Sequence, residues 1–173
     1  MEKAMKDLST AIKIKPSNSD YYLARANLNI SIKDYRSAIE DFTFVIKLKP
    51  EFSGYRFDRA MLYATAGSWL KTANEFEDKD SFIYRKSLAL SSGFNETPDF
   101  YYNLACYDMD MAIQNEARIC GFDRISPSYY LARGAILLSM GKRTESCLEF
   151  ILAKKNIKIF SLDTINEMGT KYI

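Results

Sequence analysis

Three arginines carry the most regular chemistry in this 173-residue chain. Arg25, Arg59 and Arg133 are each followed sixteen positions later by an acid: Asp41, Glu75 and Glu149. A guanidinium and a carboxylate recurring at one spacing predict a structural ion pair between neighbouring helices, at three equivalent places. The competing chemistry is capture of a carboxylate ligand by arginines turned into a groove, and the constant spacing favours the structural pair. Asp108 and Asp110, with Glu116 beyond, form the one acidic cluster of metal-ligand type, and their place near a helix end predicts solvated carboxylates. Histidine, the commonest general base and metal ligand, is absent from the whole sequence. There is no phosphate-cradling glycine loop and no glycine-flanked serine nucleophile. Cys106, Cys120 and Cys147 are odd in number and lack metal-ligand spacing, which predicts free thiols in a reduced, cytoplasmic compartment. The residue types therefore predict a non-enzymatic chain with no cofactor and no metal.

The elements that position these side chains are helical. Ala38, Phe42, Val45 and Ile46 recur at steps of three and four, which draws one apolar stripe along a helix. No stretch alternates in the manner of a strand. The four prolines, Pro16, Pro50, Pro98 and Pro127, each precede a tyrosine-bearing segment, as expected of the turn before a helix or its first positions. Softer breaks follow at Lys33-Asp34, Gly67-Ser68 and Gly141-Lys142, where glycine can end one helix and Asp or Ser can cap the next. This punctuation predicts a leading helix at about 2–14. Helix pairs follow at 19–31 with 35–48, 53–66 with 69–90, 98–113 with a weaker partner, and 128–140 with 143–156.

A 34-residue echo organises these pairs. Ala4, Leu8, Ala11, Ile12 and Pro16 return as Ala38, Phe42, Val45, Ile46 and Pro50, and Tyr21-Tyr22-Leu23-Ala24-Arg25 returns unchanged at 129–133. A period of this length marks helical hairpins stacked so that each buries its neighbour's apolar face. The predicted array spans the whole chain as one domain: a half repeat at 1–16, repeats at about 17–50, 51–94, 97–126 and 127–157, and a capping segment at 158–173. The register breaks at Glu75–Asp80, which is too polar to continue the stripe, and about eleven extra residues separate it from Tyr101-Tyr102. Leu162, Ile165 and Met168 predict a short capping helix at the C-terminal end.

The Tyr-x-x-Arg-Ala/Gly opening, the small residue at Ala38, the aromatic at Phe42 and the proline at Pro50 resemble the tetratricopeptide repeat. Trp69, Ala73 and Phe76 hold comparable slots in the next unit, and Gly134, Gly141, Ser146, Phe150 and Ala153 in the last. The resemblance implies an all-α, right-handed superhelical solenoid, irregular in the middle and closed by the capping helix. It also implies an inner wall that receives a peptide or amphipathic helix of a partner protein. The inward positions would be Leu23, Asn27, Ile30, Phe57, Met61, Tyr102, Cys106, Leu131, Ala135 and Leu138, with Asn27 and Asn103 holding the partner's backbone. One subset of this family grips chain-terminal carboxylates. Here Leu23 replaces its lysine and Asp58 an asparagine, so that activity is not expected.

Net charge is +2, with acids and bases interspersed, and the inward positions carry no paired polar readers, so nucleic acid is not an expected partner. No run approaches the ~18 apolar residues of a membrane span. The first helix begins inside a repeat and leaves an apolar face, so the alternative to partner binding is self-association through the N-terminal helix or membership of a longer repeat array, with RNA binding a distant third.

Overall fold

The computed structural model of the chain describes residues 1–75, 94 and 96–170, with side chains at 1–72, 94, 96–122 and 124–157. Among the described residues there are seven α-helices and no strands: α1 (Glu2–Ile14), α2 (Ser19–Ser31), α3 (Tyr35–Leu48), α4 (Ser53–Glu75), α5 (Pro98–Cys120), α6 (Pro127–Ser139) and α7 (Arg143–Thr170). A single 3₁₀ turn, Phe122–Arg124, links α5 to α6. Each helix packs against the next in sequence, and α4 also reaches α6.

Local chemistry sets the first three helices. The side chain of Asn18 accepts from the Asp20 amide at 3.0 Å, and Asp34 accepts from the Ser37 amide at 3.1 Å. Both satisfy donors that a helix start leaves open. Lys33 ends α2 in the left-handed region, at φ 64°, with the Asp34 amide returning to the Asn29 carbonyl at 2.9 Å. Gly141 ends α6 in the same way, at φ 79°, with the Lys142 amide on the Leu137 carbonyl at 2.9 Å. These two turns are one motif used twice.

At Gly67, where the sequence predicts the third such turn, α4 runs on without a break to Glu75. Gly67 serves a different purpose. A Cβ there would lie 2.9 Å from two ring carbons of Tyr102 and 3.1 Å from the Pro98 carbonyl. The missing side chain lets α5 lie close against α4, and no turn is required. The predicted break between 53–66 and 69–90 is thus corrected: residues 53–75 form one helix, which packs on α5. The segment 76–93, where the insertion is predicted, lies outside the described residues.

Two further boundaries differ. The helix predicted at 98–113 extends to Cys120, opened by Thr97, whose side chain accepts from the Phe100 amide at 3.3 Å, and by Pro98 in the first turn. The separate capping helix predicted at 158–173 is absent from the described backbone. Helix α7 continues to Thr170, because no proline or glycine interrupts residues 143–168.

Three apolar clusters hold the helices. Ala26, Ala38, Phe42 and Leu62 join α2, α3 and α4. Ala66, Phe94 and Tyr101 join α4 to the start of α5, with the Tyr35 ring edge-on to Trp69 at 5.1 Å. The largest includes Ala60, Tyr102, Ala105, Met109, Tyr130, Ile136 and Ala153, from α4 through α7.

Candidate functional site

The three arginines lead three different lives. Arg25 on α2 reaches Asp41 on α3 through Nε and Nη2, at 3.0 and 2.7 Å, and Asn29 donates to the same carboxylate at 3.2 Å. Its remaining Nη1 donates to Ser9 on α1 at 3.3 Å, so one guanidinium ties three helices together. The Asp41 hydrogen bond lifts Arg25 above its ordinary pKa against the opposing effect of burial.

Arg59 does not meet Glu75. Both stand on α4, sixteen residues or about 24 Å apart along the axis. Its partner is Asp108 on α5, held by two parallel N–H···O contacts of 2.7 Å each, and Nη1 donates to Thr43 on α3 at 2.8 Å. Burial lowers the Arg59 pKa, and Asp108 more than offsets it, so the net shift is upward.

Arg133 on α6 is shared. Nη1 pairs with Glu149 on α7, while Nε lies 2.7 Å from Asp110 without hydrogen-bond alignment. Burial pushes Glu149 upward by more than half a guanidinium can pull it down, and its Oε2 is left without a partner. Burial lowers Arg133, and its two acids more than offset that.

Of the acids at 108–116, Asp108 is not solvated as the sequence predicts, while Asp110 keeps 43% of its side chain exposed. Asp108 is fully buried on Arg59, Asp110 faces Arg133, and Glu116 accepts from Ser53, which in turn accepts from the Tyr129 hydroxyl at 3.0 Å. Among the described residues no three acids, cysteines or histidines are grouped to hold a metal ion. Cys106, Cys120 and Cys147 are unpaired thiols, and burial pushes the first two above their ordinary pKa.

One surface that can take a ligand is a groove between α4 and α6, with α5 as its floor. It encloses about 290 Å³ and is lined by Met61, Ala64, Thr65, Ser68 and Trp69 of α4, Tyr102 of α5, and Ala132, Ala135, Ile136 and Ser139 of α6. No lining residue is charged. The hydroxyls of Thr65 and Ser139 donate to carbonyls of their own helices, those of Met61 and Ala135, which leaves their lone pairs facing outward. Outside the lining, Lys71 of α4 donates to the Ser139 carbonyl at 2.6 Å, tying α4 to the end of α6. Asp58 lies one turn before Met61 on the same stripe of α4, and burial alone raises its pKa.

Of the predicted inward residues, Met61, Tyr102 and Ala135 line this groove, but Tyr102 is only 2% exposed and serves as floor rather than contact. Phe57 turns into the core, edge-on to Tyr129 at 5.4 Å. Leu23 and Ile30 pack on the α2–α3–α4 cluster, and Cys106 on the largest cluster. Leu131 and Leu138 are exposed on α6, while Asn27 and Asn103 are exposed away from the lining. Ser68 and Trp69 are missed by the sequence reading because it breaks α4 at Gly67, and Thr65, on the wall one turn after Met61, is missed as well.

Among the described residues, no helix is long and apolar enough to cross a membrane. Set against models of known protein families and against curated proteins, the chain matches none.

Proposed function

We propose that the chain is a non-catalytic adaptor of tetratricopeptide type, a right-handed stack of helical hairpins that binds an apolar face of a partner protein's helix or peptide. The α4–α6 groove carries this reading. Its lining is small, uncharged and partly apolar, and Met61 stands 41% exposed on its wall. A row of Ala64, Ala132 and Ala135 lets a partner backbone come close, while Met61 and Trp69 offer adaptable and rigid apolar contact. The outward lone pairs of Thr65 and Ser139 can accept hydrogen bonds from a partner. The cysteines are unpaired, in keeping with a reduced, cytoplasmic setting.

The test is affinity capture with the wild-type chain beside Met61→Glu and Ala135→Glu, each checked for unchanged helicity. A partner retained by the wild type and lost from both variants supports the groove. Equal capture by all three rejects it.

A second reading rests on α1, which has no buried residue and, among the described elements, packs on α2 alone. On that reading the chain self-associates through α1. Light scattering separates the two: a monomer at tens of micromolar favours the adaptor, and a dimer abolished by Leu8→Asp favours self-association.

A further inference from the structure

Phe42 and Phe150 occupy equivalent places, each following the acid that pairs with Arg25 or Arg133. Phe42 is 1% exposed and Phe150 is 37% exposed. Phe42 lies on the Ala26 side of its hairpin and is covered from beyond by Leu62 of α4, with Tyr55 packed alongside. Phe150 likewise lies on Gly134, where a Cβ would fall 2.6 Å from its ring, yet its outer side is left 37% exposed, and no apolar cluster of the described residues includes it. The residues of α7 that share this outer side are Cys147, Ile151 and Lys154, with Ile157 one turn on. Ile151 is 63% and Ile157 50% exposed. The same positions on α3 meet α4: Thr43, equivalent to Ile151, accepts from Arg59, and Ile46, equivalent to Lys154, is buried.

We infer that this outer face of α7 is a second docking surface, distinct from the groove, and that its occupant is an acidic amphipathic helix of another protein, seated on α7 as α4 is seated on α3. The apolar part is set by Phe150, Ile151 and Ile157, an exposed cluster of the kind that marks interaction sites. The charge is set by Lys154, which stands where α3 has a buried isoleucine. Among the described residues this face contains no acid, because Glu149 is turned inward to Arg133 and Glu145 lies beside Lys142 at 3.9 Å. An occupant must therefore bring a carboxylate to Lys154. A second copy of this chain fits poorly. Both of its first helices that pack on a preceding one through a hydroxyl place an arginine at that contact, Arg25 on Ser9 and Arg59 on Thr43. Such a helix would set a guanidinium against Lys154 and Ile151.

The experiment uses the 173-residue chain and two fluorescent 18-residue helical probes with the same leucine stripe, one flanked by glutamates and the other by lysines. Anisotropy gives affinity, and the alkylation rate of Cys147, which is exposed on this face, gives location. The expected result is at least about tenfold tighter binding of the acidic probe, with slowed Cys147 alkylation. Lys154→Glu should reverse the preference, Ile151→Ser should weaken both probes, and Arg36→Ala, an exposed position of α3 outside both surfaces, should change neither. Equal affinity for the two probes, binding to neither, or an unprotected Cys147 overturns the inference. A dimer of the chain abolished by Ile151→Asp overturns it in favour of a second copy. Loss of binding on Met61→Glu assigns the probe to the groove and overturns it as well.

Discussion

Arg59 and Asp108 face each other through two parallel 2.7 Å hydrogen bonds, although 49 residues separate them in the chain. The Asp108 side chain is 1% exposed and that of Arg59 13%, so the pair joins α4 to α5 inside the protein. A charge so buried is tolerable only while its partner is present. Asp108→Ala should cost about 3–5 kcal/mol in urea unfolding, and Arg59→Ala a comparable amount. The double variant should cost far less than the sum, since each single change strands the other charge.

Two glycines of α4 should respond to alanine in opposite directions. Gly67→Ala places a methyl 2.9 Å from the Tyr102 ring and close to the Pro98 backbone. The expected loss is about 1–3 kcal/mol, more than the helix preference for alanine returns. Gly54 has nothing within 4 Å of the same added carbon. Gly54→Ala should raise stability by about 0.5 kcal/mol. Thermal unfolding of the two variants reads both signs.

Much of this was legible from the residues alone. The limits of α1, α2 and α3 follow from Asn18, Asp34 and the apolar stripes, and the Arg25–Asp41 contact follows from spacing within one hairpin. The run of α4 through Gly67 was not legible, because the glycine answers to Tyr102, 35 positions later, and not to a turn beside it. The Arg59–Asp108 pair was hidden for the same reason: α4 is one long helix, so the acid comes from a different helix at an unrelated distance. One local signal went unused. Ser9 and Thr43 stand sixteen residues before Arg25 and Arg59 and accept from them. At Arg133 that position is Ala117, and Asp110 supplies the missing acceptor charge.

Asp58 gives a pH signature. Burial raises its pKa above the ordinary 3.8, so the folded chain holds that proton more tightly than the unfolded one. Its contribution is fully present below the unfolded pKa and is lost as pH rises through the folded one. Asp58→Asn should therefore be more stable than the wild type at pH 7, with the gap closing as pH falls through the raised folded-state pKa and closed below about 3.8. The side chain keeps over a third of its surface in water, so the gap should be small. Paired melts across pH 3 to 7 measure it, and a gap that widens toward acid would contradict the assignment.

Phe42 and Phe150 should differ in cost. Phe42→Ala empties the centre of the α2–α3–α4 cluster and should lose about 3–5 kcal/mol. Phe150, open on one side, should lose clearly less on the same change. Equal losses in chemical denaturation would mean that the outer side of α7 is covered in solution.

The central claim is that the α4–α6 groove receives a partner's apolar segment, and photo-crosslinking from within it is the most direct measurement. A crosslinking amino acid at Thr65 or Ala135, both on the groove wall, should capture one segment of one protein in cell extract. The same group at Arg36, an exposed residue of α3, should not capture it. Met61→Glu should abolish the product. Capture of that segment from Arg36 alone, or a product unchanged by Met61→Glu, would contradict the account.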